Sequence, residues 1–362
     1  MSEKINQVEP NISEQDVQRV NDYMSSGAWI TEHALTKELE EKIAHFVGRK
    51  YAVAVPNGTI AIYLSLLAAG LTEGKRVAVP NITMIATINA ILWAGAEPVI
   101  IDLNERLCMS LESLQTADKL DGVIYVPLNG RTEDGISIEE YCNDRNIVLI
   151  EDSAHALGSH YQDKMCGSLG SMSVFSFTPH KIITMGQGGL VLTDDDSLYE
   201  YLIDLKTFNR SKDKSDWHDG FGLNFKITDL QSALGLSQFE KINEFIKIKK
   251  EMFEIYKNNL ENFSFIHFFE YETPWFIDLI CETEKARDSL KSFLEDAGIL
   301  TRESYPALSK QSFLQSIEKT NLKFSENISE NILWLPSSTN LTKDQMEEVV
   351  DKIATFSTSK DF

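Results

Sequence analysis

One lysine, Lys181, stands in a tight turn between two strand-like runs, Ser173 to Phe177 and Gly189 to Thr193. A primary amine held in such a turn can condense with an aldehyde to give a Schiff base. Upstream, the apolar run Val148 to Asp152 ends on a carboxylate, the partner that a pyridinium nitrogen needs. Together these residues suggest pyridoxal 5'-phosphate. Lys181 would hold the aldehyde as an imine and, once released, move a proton. Asp152 would keep the ring nitrogen protonated so that the ring can take up electrons.

The cofactor's other end is a phosphate dianion. The stretch Val55 to Thr59 passes from strand to helix, so Asn57, Gly58 and Thr59 offer unpaired N–H groups at a positive dipole end. Gly58 permits close backbone approach, and the Ser176 hydroxyl, in the segment that carries Lys181, can donate to the same group. Singly, each feature is ordinary: turn lysines are usually solvated, strand-end aspartates often cap helices, and Asn-Gly-Thr is common turn chemistry. Their succession along strand ends of one sheet, where open α/β folds bind ligands, favours a site.

The elements that must position these groups are legible from periodicity. Ala34 to Phe46 carries Leu35, Leu39, Ile43 and Phe46 on one helical face. Seven β-branched runs follow, at Tyr51 to Val55, Arg76 to Pro80, Pro98 to Asp102, Val123 to Val126, Ile147 to Glu151, Ser173 to Phe177 and Gly189 to Thr193. Helical stretches such as Thr59 to Ala69 separate the first five, which predicts an α/β fold with a seven-stranded, mostly parallel sheet covered on both faces. Thr228 to Gln231 has capping-box spacing and predicts one long helix running on toward Tyr256. Beyond about residue 250 the pattern becomes α+β, with strand-like Phe263 to Phe269 and Trp275 to Cys281, and helices Glu284 to Ala297 and Lys343 to Phe356. The expected division is a large cofactor domain with an N-terminal substrate segment over residues 1–245, and a small α+β domain over 246–362. The Lys/Asp/Ser-rich stretch Asn209 to Gly220 reads as a loop. Its Arg210, Lys212 and Lys214 are candidates to clamp a pyrophosphate, although in an acidic chain such a run is more often a solvated loop.

With 362 residues, 43% of them hydrophobic, the chain can bury one large and one smaller core. The formal charge of −21 argues against nucleic acid as partner. No apolar run approaches the length of a membrane span, and the N-terminal residues lack a signal-peptide pattern, so a cytoplasmic location is expected. Cys108, Cys142, Cys166 and Cys281 are too widely spaced for a disulfide framework or a zinc motif.

In six segments, Asn57 to Thr59, Pro80 to Thr87, Glu151 to Gly158, Phe175 through Lys181 to Gly189, Leu223 to Gln231 and Tyr305 to Ala307, the chain resembles the DegT/DnrJ/EryC1/StrS family of pyridoxal-phosphate-dependent sugar aminotransferases. The resemblance implies fold type I, the aspartate aminotransferase-like fold, and a homodimer with active sites at its interface. It also implies roles: Lys181 for the Schiff base, Asp152 for the pyridinium, His155 beside the ring, Ser176 on the phosphate, and Asn224 reaching the phosphate from the neighbouring subunit. Thr31, Arg302 and Tyr305 match regions near a sugar-nucleotide.

The implied reaction takes nitrogen from L-glutamate to a keto group of a nucleotide-linked deoxysugar, a 4-keto-6-deoxyhexose on GDP, UDP or dTDP. The cofactor would alternate between pyridoxal and pyridoxamine 5'-phosphate, and the product would serve surface polysaccharide such as lipopolysaccharide O-antigen. Departures from the family pattern are Met84 where an aromatic residue usually covers the ring, His155, Gln187, Lys226, Leu308, His33, and Asn129 to Arg131. They bear on the acceptor. A keto-phosphate or keto-cyclitol acceptor, and a noncatalytic cofactor-binding or sugar-binding relative, remain alternatives. The family's dehydratase branch, with histidine in place of the lysine, is disfavoured by Lys181, and no dinucleotide-binding glycine motif follows a strand.

Overall fold

The computed structural model describes residues 4–358. The outer limits of the expected domains, residues 1 and 362, lie outside the described residues, as do the first three residues of the N-terminal stretch read for a leader. Two helices, α1 (Glu14–Ser25) and α2 (Ala34–Val47), precede an alternation of strand and helix. It runs β1 (Tyr51–Val55), α3 (Gly58–Ala68), β2 (Arg76–Pro80), α4 (Ala86–Trp93), β3 (Glu97–Ile101), α5 (Leu111–Gln115), β4 (Gly122–Tyr125), α6 (Gly135–Arg145) and β5 (Val148–Asp152). A two-residue hairpin, β6 (His160–Tyr161) with β7 (Lys164–Met165), leads to β8 (Met172–Ser176), β9 (Gly189–Thr193) and α7 (Asp196–Lys206).

Strand order in the main sheet is β1-β9-β8-β5-β4-β2-β3, with β9 antiparallel to both its neighbours and the rest parallel. All seven runs read from the sequence are strands of this sheet. An eighth, β13 (Glu318–Lys319), adds in parallel to β3 from far along the chain. Two residues carry too little periodic signal to be read as a strand. Side chains alternate across the pleat. Val53 and Val55 of β1 join one core under α3, α4 and α7, whereas Ala52 and Ala54 join a second core with α2 and α8 (Asp229–Phe239). Ala78, Val123, Tyr125 and Leu149 pack on the far face with Ile138 and Cys142 of α6. Each fully buried branched side chain contributes about 1.5–3 kcal/mol, so a sheet covered on both sides is a rigid base for its strand ends.

The long helix expected after Thr228 is two helices. Thr228 does cap α8, through its side chain and Gln231, but the chain breaks at Glu240 and Lys241 before α9 (Ile242–Leu260). Lys241 there leaves helical geometry and its Nζ donates to Asp16 of α1 at 2.6 Å, while Glu240 takes Arg19 at 2.8 Å. Docking α1 against the α8–α9 corner thus overrides an apolar period that continues unbroken in the sequence.

The remaining elements are β10 (Ile266–His267), β11 (Asp278–Cys281), α10 (Glu284–Asp296), β12 (Arg302–Glu303), α11 (Lys323–Ile328), β14 (Ile332–Trp334) and α12 (Lys343–Thr358). A four-stranded sheet of order β10-β11-β14-β12 backs onto a core of Met252, Phe253, Leu279, Leu290, Leu333 and Val349. Ile5 joins that core and pairs with Ile299. Phe263 to Phe269 contributes only two strand residues and Trp275 to Cys281 only its last four; Trp275, Phe276 and Ile277 before them are buried in core packing. No helix among the described residues is long and apolar enough to cross a membrane. All four cysteines are buried thiols.

Candidate active site

The carboxyl ends of β1, β2, β5 and β8 lie along one edge of the sheet, and a cavity of about 340 Å³ opens there. β5 ends on Asp152, which is 4% exposed. Its Oδ2 accepts the hydroxyl of Thr87 at 2.8 Å, its Oδ1 the amide of Ala154 at 3.3 Å, and Thr87 in turn meets the Thr83 hydroxyl at 3.0 Å. Burial pushes the carboxyl up from its ordinary range, against the Thr87 hydrogen bond, the positive charge of Lys181 and the Ala154 amide.

Lys181 follows a turn closed by its own amide on the Thr178 carbonyl at 3.0 Å. Its side chain is half-buried and lines the cavity. Burial pulls its ammonium down to about 7, Asp152 opposing and Arg302 adding to the effect. Nζ lies 3.9 Å from the centre of the Trp275 ring. His155, buried, stacks on the same indole at 4.1 Å between centroids. Burial, then the charges of Lys181 and His180, push His155 well below the usual imidazole value. His180 falls to about 4 through burial, Lys181 and Arg302. Both imidazoles are therefore neutral near pH 7. Tyr305 lies parallel to His155 at 5.9 Å, and Arg302 stands over the Tyr305 ring at 5.9 Å.

At the opposite end, Asn57 caps α3 by accepting the Ile60 amide at 3.0 Å. The Gly58 and Thr59 amides open that helix, with no carbonyl a turn earlier to bind. A Cβ on Gly58 would come within 3.0 Å of the Ser176 Cβ, and one on Gly189 within 2.5 Å of the Asn57 backbone. Glycine at both positions lets the helix start press against the β8–β9 strand ends. The result is a cleft with backbone donors and a hydroxyl at one end and a carboxylate and an amine at the other. Met84, 41% exposed, borders it. His155 adds a buried Nδ1 without a hydrogen-bond partner among the described residues. This donor set fits a phosphorylated pyridine aldehyde: anion donors, a carboxylate for a ring nitrogen, and an amine of lowered basicity.

Asn57, Gly58, Thr59, Met84, Asp152, His155, Ser176, Lys181, Arg302 and Tyr305 thus share one cavity. Thr31 and Asn224 are not among its lining residues. Both are exposed, Thr31 bridging to Thr228 and Asn224 to Thr207. Two of the departures occupy packed interior positions. Arg131 is buried in an ion pair with Asp278, with Tyr271 and Asn129 also on that carboxylate, and Leu308 is 1% exposed in the main core.

Sequence reading assigned no role to Thr87, Thr178 or Trp275. Thr87 lies in the Pro80 to Thr87 segment, and a second hydroxyl four residues earlier, on Thr83, was its only signal. Trp275 had none, because it is brought to Lys181 from a distant segment. Its indole N–H donates to the His180 carbonyl at 2.7 Å.

Comparison with known proteins agrees with this geometry. Residues 10–354 match the model of the DegT/DnrJ/EryC1/StrS aminotransferase family. The chain belongs to that family. It is 33% identical to a GDP-perosamine synthase of Escherichia coli O157:H7, over 97% of this chain and 98% of that one. A GDP-perosamine synthase of Vibrio cholerae is 32% identical, with 96% and 98% covered. Among solved structures, the putative sugar aminotransferase Spr1654 from Streptococcus pneumoniae, in its PMP form, superposes with a TM-score of 0.90 at 25% identity over 98% of both chains. The fold is the fold type I of such enzymes, and the protein is an aminotransferase.

Proposed function

We propose that the cavity binds pyridoxal 5'-phosphate and that the enzyme transfers the amino group of L-glutamate to the keto group of a nucleotide-linked deoxysugar, a 4-keto-6-deoxyhexose, in the cytoplasm. The observation that carries this reading is the pairing, across one cleft, of Lys181 of lowered basicity with buried Asp152. Bound there, the cofactor supplies an electron-withdrawing ring that stabilises negative charge on the carbon bearing the amino group.

The protein's own groups do the rest. Gly58 and Thr59 amides and the Ser176 hydroxyl hold the phosphate. Asp152, oriented by Thr87, keeps the ring nitrogen protonated. Met84 would cover one face of the ring, and His155, its imidazole held neutral by burial, would border it. Lys181, with an amine near 7, is matched to accept a proton at neutral pH and return it. Arg302 and Tyr305 border the mouth where a sugar-nucleotide enters. Asn224, outside this chain's cavity, would reach the partner's phosphate in a homodimer, and Thr31 would lie toward the sugar-nucleotide. The large domain, residues 1–245, would carry the cofactor, and the small α+β domain, residues 246–362, adds Arg302 and Tyr305 to the cavity lining. The names of these relatives support a sugar acceptor, and we infer that the product serves surface polysaccharide.

The test is incubation of the purified protein with pyridoxal phosphate, L-glutamate and a panel of GDP-, UDP- and dTDP-linked keto sugars, read by absorbance and mass spectrometry. Glutamate alone is expected to convert the cofactor to pyridoxamine phosphate, and one sugar to gain an amino group. Conversion without amination of any nucleotide sugar would overturn the acceptor assignment.

A further inference from the structure

We propose that Trp275 is a positioning residue for the Lys181 amine, holding it and favouring its protonated form through the indole face. This deepens the function proposed above and rests on it for the importance of Lys181. Three contacts converge on the side chain. Lys181 Nζ lies 3.9 Å from its ring centre, His155 stacks on it at 4.1 Å, and its N–H donates to the His180 carbonyl at 2.7 Å. The backbone is held as well, since the Trp275 carbonyl accepts Lys249 Nζ at 2.7 Å. Trp275 is 3% exposed, and Phe276 stacks behind it at 3.8 Å. The indole N–H, the ring faces and the residue's backbone carbonyl are all engaged, which holds the indole beside the lysine.

The charged and titratable groups facing Lys181 are Asp152 from β5, Arg302 from β12, and the imidazoles of His155 and His180. Only Asp152 among them favours an ammonium. When a ring nitrogen takes up Asp152, that support is shared, whereas the electron-rich face of Trp275 remains directed at Nζ. Cation–π attraction grows as water is excluded. The indole thus favours the ammonium at the moment that Lys181 has accepted a proton and must keep it close for return.

The decisive measurement is the pH dependence of Lys181 acetylation by acetic anhydride in cofactor-free full-length protein, followed by peptide mass spectrometry. Trp275→Leu removes the π face, and the labelling midpoint is expected to fall by about one pH unit. Trp275→Phe keeps a ring but loses the N–H, and less than half of that shift is expected. Should the leucine variant fail to fold, mono- and difluorinated tryptophan weaken the face without changing its shape, and the midpoint is expected to fall stepwise. An unchanged midpoint in the folded leucine variant, or across the fluorinated series, overturns the proposal. A holoenzyme whose cofactor is not attached to Lys181 overturns the functional reading instead, because the acetylation midpoint is read without cofactor.

Discussion

Two lysines, one half-buried and one buried, meet at opposite ends of Trp275, and they do different things. Lys181 lies against the indole face, and Lys249, from α9, binds the backbone carbonyl. Burial brings both ammonium groups down to about 7. Lys249, 3% exposed, donates to two carbonyls, those of Trp275 and Ser337, and so ties the approach to β11 to the segment after β14. Lys181 opens onto a cavity that also holds a carboxylate, and its contact with a π face takes up no acceptor oxygen. Low basicity alone therefore does not make a reactive lysine. Access to a cleft and a partner charge for the cofactor do.

The comparison breaks most sharply at Lys181. Lys181→Ala is expected to lower kcat by roughly 10⁴-fold, at the upper end of what a positioned acid–base group supplies, while the melting temperature stays near that of the parent. Steady-state kinetics beside thermal unfolding checks this, and retained activity would remove Lys181 from the chemistry. Asp152→Asn keeps the shape but not the charge. A loss of roughly 10²- to 10³-fold in kcat is expected, the scale of removing one preorganised electrostatic group. Equal rates would contradict the electron-sink role.

Lys249→Met should show the opposite balance. Its stem is replaced, but two buried carbonyls lose their donor, which costs about 2–4 kcal/mol of folding stability. Urea unfolding measures it, and kcat is expected to change far less than in Lys181→Ala. The smallest effect sharpens the picture on the Asp152 side. Thr87→Val deletes one hydrogen bond to that carboxylate, and a fall of about tenfold in kcat is expected, measured at saturating substrate.

Much of this molecule was legible because its signals are local. The seven main strands follow from β-branched runs between helices, and Lys181, Asp152, Gly58 and Ser176 sit at strand ends that any parallel sheet brings to one edge. What escaped depends on distant contacts. The break between α8 and α9 is set by α1, which docks from over two hundred residues earlier and supplies Asp16 to Lys241. The eighth strand is two residues long and exists because β3 offers an edge. Arg131 is held by a buried partner, Asp278 on β11, that no local pattern announces. Trp275 and Lys249 gave no pattern at all, because an indole and an amine become informative only once the chain has brought them to Lys181.

The central claim is that position 181, and not the equally perturbed lysine at 249, carries the cofactor. The direct measurement is borohydride reduction of the protein with stoichiometric pyridoxal phosphate, followed by peptide mapping of the phosphopyridoxyl tag. The account predicts one tag per chain, on Lys181, absent in Lys181→Ala and undiminished by Lys249→Met. A tag on Lys249 or on scattered surface lysines, with Lys181 unmodified, would contradict it.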